Sequence, residues 1–141
     1  MFKTRLLSGI VLVAAALVLI ITGGDVLLFS TLLISYIGMF ELYRIFHVEK
    51  ELPGIVGYLA ATVFYCNLKW DFLPDIMVVV LGFLMALMFV YVFTYPKYKT
   101  EQMLAVFFGT FYVAVMLSYV YQTRMLNAGA YIVWLIFLCS W

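Results

Sequence analysis

Six runs without a single charged side chain divide the chain: 6–24, 26–40, 52–68, 76–96, 102–123 and 125–141. Where runs this long are buried, every backbone group must find its partner within the protein, which in lipid leaves helices and closed barrels. Most of these runs are too long for a barrel strand of about 9–11 residues and approach the ~20 residues of a spanning helix. Composition closes the remaining route. The 141 residues are 68% hydrophobic and 11% charged, whereas soluble domains carry about 45–50% and about 25%. A water-soluble fold of this size could not hide so much apolar surface. The expectation is an all-α, polytopic transmembrane helix bundle.

Punctuation sets the span limits. Gly23-Gly24-Asp25, Pro53, Pro74 and Pro96 all fall at the ends of these runs or between them. The predicted spans are 6–22, 26–46, 54–68, 76–95, 103–121 and 129–141, about five full spans and a sixth cut short at Trp141. A cleavable leader fits Lys3, Arg5 and the small residues near Gly24 less well, because the next apolar run begins at once. Six basic residues (Lys3, Arg5, Arg44, Lys50, Lys97 and Lys99) fall on one side and two (Lys69 and Arg124) on the other. By the positive-inside rule the amino terminus faces the cytoplasm. Cys66 and Cys139 are expected at different depths, so the spacing needed for a disulfide is not met.

Candidate chemistry is sparse. A net charge of +1 gives no reason to invoke nucleic acid. One histidine, His47, and two separated cysteines supply no zinc ligand set. Glu41 and Arg44 share one face at the end of span two, as an internal ion pair or a headgroup contact, with Tyr43 and Phe46 as interfacial anchors. Asp71 and Asp75 flank Pro74 and fit a polar turn better than a cation site. The lysines of Tyr95–Gln102 either set topology or attract anionic lipid. Gly57/Ala61 and Gly82/Ala86 are small-residue pairs suited to close helix approach. Tyr112, Tyr119, Tyr121 and Trp134 are expected at interfaces or in packing. No nucleophile with a base, phosphate-cradling glycine loop or carboxylate cluster is visible, so no catalytic, cofactor-binding or metal residue is assigned.

The order of features resembles the opening of bacterial phosphatidate cytidylyltransferases, the CDP-diacylglycerol synthases. Arg5, Ser8 and Gly23-Gly24 occupy that family's basic end, small-residue pair and Gly-Gly turn. Glu41, Tyr43, Arg44 and Ile45 match the close of its second span, and Arg124, Gly129, Tyr131 and Trp141 the stretch before its first acidic motif. The family's later motifs (Asp-x-x-Ala-Tyr-x-x-Gly, Lys-Asp, His-Gly-Gly and Asp-Arg) do not occur in this chain. The resemblance implies an amino-terminal portion of an enzyme of the bacterial cytoplasmic membrane. The complete enzyme joins CTP to phosphatidic acid, releasing pyrophosphate, with Mg²⁺ as cofactor. CTP and metal would be held by the part beyond Trp141, and the 141-residue chain alone would be inactive. The early helices would serve scaffold and lipid access, with Arg44, Lys97 and Lys99 as headgroup candidates. The alternative is a complete small polytopic protein acting as a transporter or complex subunit, and the small-residue faces leave room for a homo-oligomer.

Overall fold

The computed structural model describes residues 2–140. Met1 and Trp141 lie outside the described residues, as therefore does the predicted sixth span's last position. The elements are α1 (Phe2–Thr22), α2 (Gly24–Ile45), α3 (Leu52–Trp70), α4 (Ile76–Thr94), α5 (Thr100–Gly109), a π-helical segment (Thr110–Val115), α6 (Met116–Arg124) and α7 (Gly129–Ser140). α5, the π segment and α6 form one continuous rod, Thr100–Arg124. No strand occurs among the described residues.

The interior mixes apolar and hydroxyl-bearing side chains, and much apolar surface is left outside. Thr31, Ser35, Asn67, Thr110 and Ser118 are buried, while Leu, Ile, Val and Phe side chains are exposed along every long helix. In water such continuous apolar surface would drive association. In hydrocarbon it is matched to its solvent, and interiors rich in small and polar residues are what holds membrane helices together. Four helices are long and apolar enough to cross a membrane: Lys3–Thr22, Gly24–Ile45, Ile76–Thr94 and Thr100–Arg124. α3, expected as a full span, is 19 residues long but outside that set. Its sequence carries Asn67, Thr62, three glycine or proline positions near its start and two tyrosines, and its buried face explains why. α7 covers 12 residues, about 18 Å at 1.5 Å per residue.

The helix ends follow local chemistry. Gly23 and Gly24 have φ of +59° and +57°, the left-handed conformation that glycine adopts without a Cβ penalty. They end α1 and start α2. Pro53 stands in the first turn of α3, where no backbone donor is missed. Asp71, left-handed at φ 48°, closes α3 through its N–H to Asn67 O, and the Asn67 side chain accepts from Leu73 N at 2.9 Å. Asp75 caps α4 by accepting from Met77 N at 3.1 Å. Both aspartates therefore serve the turn. Pro96 lies in the α4–α5 turn after a cis peptide bond.

The chain divides into two compact units. One runs up to Thr31 and resumes at Tyr119; the other is Leu32–Ser118. In the first, α1 and α7 pack against each other. An apolar groove of about 430 Å³ lies beside Ile20 and Trp134, without a polar side chain in its wall. In the second, α3 is central and packs on α4, α5 and the π segment.

Candidate functional site

The second unit holds a ladder of hydroxyl groups. Ser35 Oγ and Tyr65 Oη are 2.9 Å apart, and Tyr65 donates onward to Ala114 O at 3.1 Å. Tyr43 Oη lies 2.8 Å from Thr110 Oγ1 and donates to Val106 O at 3.1 Å. Thr110 Oγ1 is also 2.9 Å from Val106 O. Tyr36 hydrogen bonds Thr62, whose hydroxyl donates to Tyr58 O at 2.8 Å. The Tyr58 ring is wedged between Tyr36 and Tyr43, with centroids 5.9 and 5.3 Å away. Its own hydroxyl is buried without a hydrogen-bond partner among the described residues. The ladder ends on carbonyls in and beside the π segment, where the helical repeat widens by one residue.

Tyr43 is the main correction to the sequence reading. It was expected at the lipid–water interface; it is 0% exposed. Gly57 makes this burial achievable. A Cβ there would collide with the Tyr43 hydroxyl and come within 3.1 Å of Val106 Cγ1. Gly57 and Ala61 are both buried, as small packing residues should be. Gly82 is not: it is exposed, and a Cβ on it would meet nothing within 4 Å. That pair makes no close helix approach in the structure. Of the four aromatics assigned to interfaces or packing, Tyr121 is buried and Tyr112, Tyr119 and Trp134 are exposed.

At the loop end of the same unit, two connections are clasped. Glu51, just before α3, accepts from Lys97 Nζ at 3.1 Å and from Tyr98 Oη at 2.6 Å. Lys97 also sits 4.9 Å from the Tyr98 ring centroid. Gln102 Nε2 donates to Phe46 O at 3.1 Å, and its Oε1 accepts Lys99 N at 3.0 Å. Val48 and Tyr98 are buried beneath. The Tyr98 hydroxyl and then Lys97 hold the Glu51 carboxyl below its ordinary value of 4.5.

The three predicted headgroup candidates therefore differ. Lys97 is committed to Glu51, while Arg44 and Lys99 are exposed, with no ion pair among the described residues. Glu41 and Arg44, on one face of α2, are both exposed and form no ion pair with each other. Sequence reasoning missed Glu51 and Tyr98, which lie outside the apolar runs, and Gln102, which opens one; none of the three carries a motif. Among the described residues no three of His, Cys, Asp and Glu converge. These side chains do not by themselves fit a Mg²⁺ ion. Cys66 and Cys139 are both free thiols.

In the first unit, two residues singled out by the resemblance, Gly23 and Arg124, come together. Arg124 Nε donates to Ile20 O at 2.9 Å. Its guanidinium covers Gly23, where a Cβ would lie 3.3 Å from Nη2. A cation thus caps the carbonyl end of α1, the end favoured by the helix dipole, beside the Gly-Gly turn. Residues 3–141 match the Cytidylyltransferase family. The chain belongs to that family. Cytidylyltransferases of this kind are CTP-using nucleotidyltransferases, and the long apolar helices mark this member as a membrane protein. No curated protein and no solved structure matches the chain.

Proposed function

We propose that this cytidylyltransferase makes CDP-diacylglycerol, and that residues 3–141 are its membrane scaffold and lipid-access part. A phosphate oxygen of phosphatidic acid attacks the α-phosphorus of CTP. The bond from that phosphorus to the bridging oxygen breaks, and pyrophosphate leaves. The single observation that carries the reading is the family match over residues 3–141, in a chain whose exposed surface suits hydrocarbon. A lipid acceptor accounts for a nucleotidyltransferase built of such helices.

The polar clasp of Glu51, Lys97 and Tyr98 would then face the cytoplasm of a bacterial cell, where CTP is found. The amino terminus would lie on the same side, in keeping with the excess of Lys and Arg there. Arg44 and Lys99 are the available cations for an anionic headgroup; Lys97 supports the loops that carry them.

Depleting the encoding gene in its host tests the reading. Phosphatidic acid should accumulate and CDP-diacylglycerol should fall. Unchanged levels of both lipids would refute the assignment.

A further inference from the structure

On α2, Ile37, Phe40, Glu41 and Arg44 are spaced i, i+3, i+4 and i+7, which is one helix face. All four are exposed. Tyr36, Ile37 and Phe40 of α2, with Tyr58 of α3, line an apolar groove of about 330 Å³. The Glu41/Arg44 pair lies one turn beyond the groove, about 6 Å along the axis. Acid and base stand three residues apart without engaging each other, so each has free capacity for a third group.

We infer that this groove and charge pair form a subsite for a phosphomonoester lipid, one acyl chain lying in the groove and the phosphate at Arg44. The inference rests on phosphatidic acid as acceptor and names where it docks. Arg44 alone would attract any anionic lipid. Glu41 makes the difference. A phosphomonoester has a second ionisation near pH 6; the Glu41 carboxylate raises it and the Arg44 cation lowers it, so the two offset and the monoanion stays populated near pH 6. Its remaining hydroxyl donates to Glu41 while its other oxygens accept from Arg44. A phosphodiester such as phosphatidylglycerol carries no proton on its phosphate and meets Glu41 as a like charge. A zwitterionic choline headgroup has no hydrogen-bond donor for the carboxylate.

The test uses the full 141-residue chain in phosphatidylcholine nanodiscs, without CTP. A tryptophan probe, Ile37→Trp, reports quenching by lipids brominated on the acyl chain, with the parent chain as background. Brominated phosphatidic acid should quench at about fivefold lower mole fraction than brominated phosphatidylglycerol. Arg44→Gln should erase the advantage, and Glu41→Gln should bring phosphatidylglycerol level with phosphatidic acid. Equal quenching by phosphatidic acid, phosphatidylglycerol and phosphatidylcholine would overturn the subsite, leaving a face wetted by bulk lipid. So would an advantage that survives Arg44→Gln. Circular dichroism of each variant separates loss of binding from loss of fold, and a second probe at Phe40→Trp replaces the first if Ile37→Trp fails to fold. The preference is read apart from turnover. Lipid preference with unchanged cellular CDP-diacylglycerol on gene depletion would refute the proposed reaction and leave the subsite standing; the reverse result would do the opposite.

Discussion

Gly57 and Tyr43 can be tested as one interlocked pair. A Cβ at Gly57 would strike the Tyr43 hydroxyl, with Cζ next at 3.1 Å. Gly57→Ala therefore forces a fully buried ring to move, and overpacking of this sort costs about 1–3 kcal/mol. Tyr43→Phe removes the hydroxyl that reaches Thr110 Oγ1 and Val106 O. Thr110 keeps its own bond to Val106 O at 2.9 Å, so no donor is orphaned. The loss should sit near the membrane average of about 0.6 kcal/mol. The double variant deletes the very atom that the new Cβ would strike, although Cζ stays close. It should cost no more than Gly57→Ala alone. The coupling should exceed the ~0.3–0.5 kcal/mol within which independent sites add. Unfolding free energies of the four proteins in bicelles, followed by circular dichroism, give the cycle. Costs that simply add would show that Tyr43 and Gly57 do not meet as described.

Three further outcomes follow from named contacts. Gly23→Ala should cost more than Gly24→Ala: both sit in the left-handed region, at about 1–2 kcal/mol, but only Gly23 also presses on Arg124. Thermal unfolding in detergent ranks the two. The Glu51 carboxyl is held below 4.5 in the folded state, so its contribution is complete at neutral pH and is lost as pH falls through that lowered value. Amide protection factors in residues 46–51 and 95–99, taken relative to the intrinsic exchange rate at each pH, should fall on acidification, and Glu51→Gln should flatten that fall. In assays of the proposed CDP-diacylglycerol synthesis, Arg44→Gln and Lys99→Gln should raise the phosphatidic acid concentration needed for half-maximal rate by about fivefold each. Lys97→Gln should instead loosen the clasp, measured by exchange; an unchanged lipid requirement in both Arg44→Gln and Lys99→Gln would reduce these cations to topology signals.

The helices were legible because charge and proline punctuate the sequence. Pro53, the Gly23-Gly24 turn and Asp75 stand at element ends in the structure. What could not be seen was which face of each helix points inward. That inference needs contrast between apolar and polar faces, and here nearly every position is apolar. Tyr43 and Ile37 look alike as lipid-facing residues, yet one is 0% and the other 61% exposed. A weaker signal was present. Thr31, Ser35, Met39 and Tyr43 repeat every four residues, as do Val106, Thr110, Ala114 and Ser118, and all are buried. In a membrane helix a recurring hydroxyl or small residue marks the inner face, the inverse of the soluble rule. The Glu51–Lys97 clasp had no such signal, since it joins residues 46 positions apart.

The widened turn at Thr110–Val115 fixes more than a local bend. Tyr43 and Tyr65 grip carbonyls just before it and within it, at Val106 and Ala114, from two different helices. Dispersion forces between smooth apolar rods would let such a rod turn about its long axis or slip by a residue at little cost. Two phenols hooked onto its backbone forbid both, so this rod keeps one azimuth and one depth against its neighbours even where the surrounding lipid imposes neither.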